Sequence, residues 1–214
     1  MACDLYILGT AGLAKEIAHL ARCIDPHAQR WATIAYVAGS EAEVGQRLHH
    51  GSVRCTDAQL LQLDEDADVA IGIGRPPVRQ KLAAQLSANP HLSFPNLVHP
   101  GVMLDETSVR LGRGNLICQG AALTCDIVLG DFNLLNLNVT VGHDTRLGDC
   151  NVANPGTNIS GNVHIGDACL LGTGSQVLER LRIASAVTVG AGAVVTRSLD
   201  EAGVYVGAPA RRRP

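Results

Sequence analysis

The chain has 214 residues, 46% of them apolar, and a formal net charge of −3, which is enough for two small domains with buried cores and excludes the basic surface of a nucleic-acid-binding protein. No apolar run reaches the roughly 20 residues that a membrane span needs, and the N-terminus lacks the basic-then-apolar order of a signal peptide, so the expected location is the cytoplasm. The seven cysteines are an odd number without C-x-x-C spacing, and they read as reduced, mostly buried thiols.

Leu5 to Leu8 reads as a buried strand, followed by the turn Gly9-Thr10-Ala11-Gly12 and an amphipathic helix from Leu13 to about Arg22. Trp31 to Val37 is a second strand, Leu60-Leu61 belongs to a short helix, and Val69 to Gly74 is a third, central strand. A helix from Pro77 to Leu86 then starts on proline, as helices tolerate at their first turn. This order predicts an α/β domain with a small parallel sheet over residues 1–95. Asn89-Pro90, Pro95 and Pro100 punctuate its end, with the boundary near Asn96.

From Leu111 to Val195 an apolar residue stands at every sixth position, through Ile117, Leu123, Leu129, Leu135, Val141, Leu147, Ala153, Ile159, Ile165, Leu171, Val177, Ile183 and Val189. Such a period is the signature of a solenoid whose units stack on one continuous core. Leu-Gly or Ile-Gly pairs at 111, 129, 147 and 165 recur at three times that step, so three short strands close one triangular coil. Gly or Asn after the apolar residue, as at Gly112, Gly130, Asn136, Gly142, Asn154, Gly172 and Gly190, is expected to supply conformational freedom at the corners. Asn115, Asn133 and Asn151 fall two positions before the apolar residue at the coil repeat and predict an internal ladder of stacked amides. The pattern is that of a parallel β-helix over residues 96–200, with 201–214 as a capping tail that carries three arginines.

His143 follows Gly142 at a corner, where a side chain can point outward. One coil on lies Gly161, which leaves space beside the ring, and one coil back lies Cys125. An imidazole titrates near neutrality and can accept a proton from a nucleophile; Asp144 beside it is placed to orient the ring or to hold the nucleophile. On the residues alone, a solvated turn histidine is an equal reading. A catalytic zinc needs about three converging ligands, and the spacing of His143, His164 and His99, with His49 and His50 as an exposed loop pair, foresees no such set, so no metal is expected. Cys118 and Cys125 are the two thiols that could touch the solenoid surface, but a catalytic thiol needs a neighbouring base, so buried, inert thiols are the favoured reading for them as well. The Gly9–Gly12 turn lacks the full dinucleotide fingerprint, and Val37-Ala38-Gly39-Ser40 offers no acid to a ribose, which argues against NAD. The turn fits the phosphate of another ligand, or no ligand at all.

Several local markers occur together: Ile7 to Glu16, Ala70-Ile71-Gly72 with Arg79 beyond, Val98-His99-Pro100, Val141-Gly142-His143-Asp144, Ser160-Gly161-Asn162-Val163 and Val206-Gly207-Ala208-Pro209-Ala210. In this order the chain resembles the hexapeptide-repeat sugar acetyltransferases, the family of sialic acid O-acetyltransferases and of UDP-bacillosamine and GDP-perosamine N-acetyltransferases. The resemblance supplies the left hand of the coil and implies a homotrimer in which His143 is the general base for direct acetyl transfer from acetyl-CoA to an amino sugar, most simply a nucleotide-linked one. It further implies a coenzyme A groove between neighbouring β-helices at Gly161, Gly172, Thr173 and Gly190, with Arg211 on a phosphate. The acceptor would lie against Gly9, Thr10, Ala11, Gly12 and Asn136. The chain departs from many relatives in having Leu13 and Val152 where they carry histidine, and Ala38-Gly39 where they carry an acidic pair. Transfer to a sugar hydroxyl, and a non-catalytic scaffold with a decayed site, are the alternatives.

Overall fold

A computed structural model of the chain describes residues 2–213. The N-terminal unit runs β1 (Cys3–Leu8), α1 (Gly12–Ile24), β2 (Trp31–Ala38), a 3-10 turn (Glu41–Glu43), β3 (Arg47–Leu48), β4 (Gly51–Thr56), α2 (Asp57–Leu60), β5 (Ala67–Ile71), α3 (Pro76–Leu86) and β6 (Leu92–Ser93). Its six strands are ordered β3-β4-β2-β1-β5-β6, and all pairs are parallel except β3 with β4. The edge strands were not legible in the sequence, because two-residue strands carry no periodicity. Alternation splits the central strands between two cores: Leu5, Ile7, Ile34 and Tyr36 face α1, whereas Tyr6, Leu8, Val37 and Ile71 face the side covered by α3.

Three parallel sheets follow. The first face stacks Leu97–Val98, Leu116–Ile117, Leu134–Leu135, Val152–Ala153, Leu170–Leu171 and Val187–Val189; the second runs from Met103–Leu104 to Val194–Val195, and the third from Arg110–Leu111 to Arg182–Ile183. This is the left-handed parallel β-helix of the sequence pattern, and every apolar hexad position from Ile117 to Val195 is buried in one core. The coil begins at Leu97, one turn before the six-residue rhythm. Leu97 pairs with Leu116 at a spacing of 19, because the turn Asp105–Val109 holds one extra residue. Asp105 stabilises that turn by accepting from the Thr107 N–H and hydroxyl and from the Ser108 hydroxyl.

The corner glycines correct the expectation made from sequence. The left-handed backbone falls three residues after the apolar position, at Gly114, Gly120, Asp126, Phe132, Asn138, Asp144, Cys150, Gly156 and their successors up the stack. Gly112, Gly130, Gly142 and Gly172 are not among them. They are glycine because the next coil passes too close: a Cβ at Gly142 would lie 2.6 Å from the Gly161 nitrogen, and one at Gly172 would lie 2.6 Å from the Gly190 carbonyl carbon.

The amide ladder is present and longer than expected. Asn96 Oδ1 accepts from Asn115, Asn115 Oδ1 from Asn133, Asn133 Oδ1 from the Asn151 N–H, and Asn151 Oδ1 from the Cys169 N–H, at 2.8–3.1 Å. Outward residues of the first face, Leu97, Leu116, Leu134 and Val152, join the α1 core, so the two units share one buried layer. Arg79 fastens them a second time. Fully buried, it donates through Nε and Nη2 to the Phe132 carbonyl at 3.1 and 2.8 Å, and through Nη1 to the Ile71 and Ile73 carbonyls at 2.6 and 3.1 Å. Its charge meets only backbone dipoles, and burial lowers its pKa to about 10. The tail adds Gly203–Val206 to the first face, and Arg211–Arg212 folds back antiparallel to cover that edge. No helix among the described residues is long and apolar enough to cross a membrane.

Candidate active site

His143 lies on the corner between the second and third faces, and its side chain is 64% exposed. Asp144, at φ +58°, continues a column of left-handed residues with Asp126, Asn162 and Arg180, one per coil. That backbone turns the Asp144 side chain back toward its neighbour, which a flat strand would forbid. His143 Nδ1 and Asp144 Oδ2 are 2.7 Å apart. With an ionised carboxylate as acceptor, Nδ1 carries the proton and donates it, leaving the Nε2 lone pair free to accept another. Nε2 points over Gly161, where a Cβ would stand only 2.6 Å from it. The slot beside the imidazole is thus the space a side chain at 161 would take. The backbone below is fixed by the Asn162 N–H donating to the His143 carbonyl at 2.7 Å.

The other residues singled out from sequence fall into three groups. Gly172, Thr173 and Gly190 share the corner between the first and second faces, with Gly190 packed beneath Val206; Gly161 shares the His143 corner. Arg211 is exposed on the final strand and donates to its neighbour's carbonyl. Asn136 lines a cavity of about 420 Å³ whose walls are Lys15, Glu16 and His19 of α1, the turn residue His49, and His99, Cys118, Gln119 and Leu137 of the coil. Gly9 instead borders a smaller crevice of about 220 Å³ at the C-terminal ends of β1 and β2, with Ala38, Gly39, Ile73 and Lys81. The glycine turn and Asn136 therefore do not share one cavity; α1 runs from the first to the second. Thr10 donates to Glu43 at 2.7 Å, so an acid does stand near the turn, supplied by the 3-10 segment after β2.

Val152 is fully buried beneath the N-terminal unit and does not border the His143 corner; Leu13 is half-buried against Gly74. Three cysteines are buried, and Cys3, Cys23, Cys55 and Cys125 are half-buried, fewer buried than the composition suggested. Burial pushes the Cys118 thiol up to about 12 and Cys150 up to about 11, which removes both as nucleophiles. The expectation that no three ligands converge is also corrected: nitrogens of His19, His49 and His50 lie within 4.8 Å of one another. The β3–β4 turn supplies two of them and α1 the third, a meeting that spacing along the chain could not reveal.

A family model described as the PglD N-terminal domain matches residues 4–86. No curated protein matches the chain by sequence. Among solved structures, the acetyltransferase domain of PglB from Neisseria gonorrhoeae in complex with acetyl coenzyme A superposes with a TM-score of 0.90 at 26% identity over 100% of each chain. PerB from Caulobacter crescentus in complex with CoA and GDP-perosamine gives 0.87 at 29% identity, covering 99% of this chain and 97% of that one. WeeI from Acinetobacter baumannii gives 0.87 at 29% identity over 99% and 100% of the two chains. The N-terminal domain match, the coil and the full-length likeness to acetyltransferase structures together make the chain similar to the hexapeptide-repeat sugar acetyltransferases and support that family for it.

Proposed function

We propose that the protein transfers the acetyl group of acetyl-CoA to the amine of a nucleotide-linked amino sugar, with His143 as general base. The observation that carries this reading is the His143 pair: an exposed imidazole, its Nδ1 held by Asp144 at 2.7 Å and its Nε2 over a residue without a side chain. Nε2 takes the proton of the attacking amine as the nitrogen bonds to the thioester carbonyl carbon. The C–S bond then breaks, and the proton passes to the departing thiolate. No acyl-enzyme forms. PglB with acetyl coenzyme A and PerB with CoA and GDP-perosamine support a coenzyme A thioester as donor and a nucleotide-linked amino sugar as acceptor.

In one chain the His143 corner and the Gly172–Gly190 corner flank opposite edges of the second face, and the α1 cavity opens at the latter. A homotrimer with coenzyme A lying between protomers, Arg211 near a phosphate, and the acceptor between the glycine turn and Asn136 brings these parts together. The test is His143→Ala, which removes an exposed side chain and leaves the coil intact. Acetyl-CoA-dependent thiol release with nucleotide-linked amino sugars should fall by about 10²–10⁴. Unchanged turnover overturns the role of His143. Hydroxyl acceptors preferred over amines overturn the acceptor class, and no thermal shift with saturating acetyl-CoA overturns the enzyme reading in favour of a scaffold.

A further inference from the structure

Among the described residues, a group of three metal-binding side chains lies at the rim of the α1 cavity. His19 projects from the exposed face of α1, and His49 and His50 form the turn between β3 and β4. The His19 and His50 rings stack at 5.7 Å with planes 17° apart, and the His49 and His50 centroids are 3.8 Å apart. The fold forces this crowding. His50 sits at φ +67°, Gly51 allows the turn to press against the Ile34 backbone, and the Tyr36 hydroxyl donates to the His49 carbonyl.

Among the described residues the cluster has one side-chain partner, the Cys23 Sγ 3.6 Å from His19 Nε2, and no carboxylate. His91 and His143 each face a carboxylate, but no ion pair involves His19, His49 or His50. His50 Nε2 is buried without a hydrogen-bond partner, a costly condition for a polar atom unless something else meets it.

We propose that His19, His49 and His50 bind one divalent transition-metal ion of the zinc class, which fastens α1 to the β3–β4 turn. Three imidazoles suit borderline ions such as Zn2+ and disfavour Mg2+ and Ca2+, which take oxygen ligands. Zinc–nitrogen bonds of about 2.0–2.1 Å place tetrahedral ligands about 3.3 Å apart. Nitrogens already within 4.8 Å reach that geometry by rotation of His19 and His49, both of which are exposed. Because His19 and His49 also line the 420 Å³ cavity, the fourth coordination position opens toward it, to water or to an anionic group of whatever the cavity holds. The site is separate from the His143 corner and does not depend on acetyl transfer.

The test is metal binding by the full chain, stripped with chelator and titrated with Zn2+ against a chromophoric competitor. One ion per chain with a Kd at or below about 1 μM is expected. Co2+ should give the intense visible absorption of a four-coordinate site. His19→Ala alters only an exposed helical side chain, and His50→Asn keeps a residue tolerant of positive φ; each should weaken binding by at least about tenfold, while His91→Ala and His143→Ala retain it. Zn2+ should raise the Tm of the parent chain and not that of the double variant His19→Ala/His50→Asn. Less than half an ion per chain at tens of micromolar zinc, a six-coordinate Co2+ spectrum, or full affinity in the double variant would overturn the proposal.

Discussion

Substituting Gly161 by Ala tests the reading of the active-site corner, because it separates stability from chemistry. The added methyl would sit 2.6 Å from His143 Nε2, 2.8 Å from Cε1 and 3.0 Å from Cδ2, against an ordinary contact near 3.4 Å. The ring must retreat by about 0.8 Å, and being 64% exposed it can do so without disturbing the core. Gly161 is not in the left-handed region, so alanine is unstrained there and reduces the entropy of the unfolded chain, worth about 0.4–1 kcal/mol. Stability should therefore hold or rise slightly. Catalysis should not, since a displacement approaching 1 Å costs on the order of 10² in rate. Thiol release under saturating acetyl-CoA, beside a chemical denaturation curve, reads both quantities. In a His143→Ala background the same substitution should add no further loss, because both act through one ring. Undiminished kcat, or a defect confined to the KM for acetyl-CoA, refutes the argument that Gly161 exists to seat the imidazole.

Asp144→Asn preserves a residue that accepts positive φ but removes the carboxylate opposite Nδ1. A kcat loss of about tenfold, smaller than the 10²–10⁴ of losing the base itself, is expected at unchanged Tm, since so exposed a pair contributes little stability. A fall in Tm with normal kcat would make Asp144 a purely structural corner residue. Arg79→Met keeps the volume but strands the buried Ile71 and Phe132 carbonyls, and should cost about 3–5 kcal/mol in urea unfolding; a cost below about 1 kcal/mol would show that water replaces the guanidinium. Asp25 accepts the Trp31, Gln29 and Arg30 N–H groups, and the Trp31 bond chiefly holds its carboxyl below the usual 3.8. The unfolded chain then takes up this proton first, so the contribution is present above about pH 4 and is lost as pH falls through the lower folded value. Denaturation midpoints from pH 5 to 2 should fall less steeply in Asp25→Ala; parallel curves would refute it.

The six-residue rhythm determined the coil, its triangular section, its buried apolar column and its amide ladder, because a solenoid repeats the same local contacts and so writes its geometry into spacing. The rhythm also put His143 on an outward corner with Gly161 one coil away. It could not show that the glycines after the apolar positions answer to the backbone of the next coil, nor that the left-handed residue is Asp144. Both depend on how coils stack, and stacking is a distance between chain segments. The first coil escaped the pattern because the turn Asp105–Val109 holds one residue too many. Where the N-terminal unit meets the coil, sequence was silent. Arg79 of α3 bonds to Phe132 of the coil 53 residues away, and within the N-terminal unit His19 of α1 meets His49 and His50 of the β3–β4 turn; contacts of that separation are set by how the elements dock, and only the tertiary fold decides them.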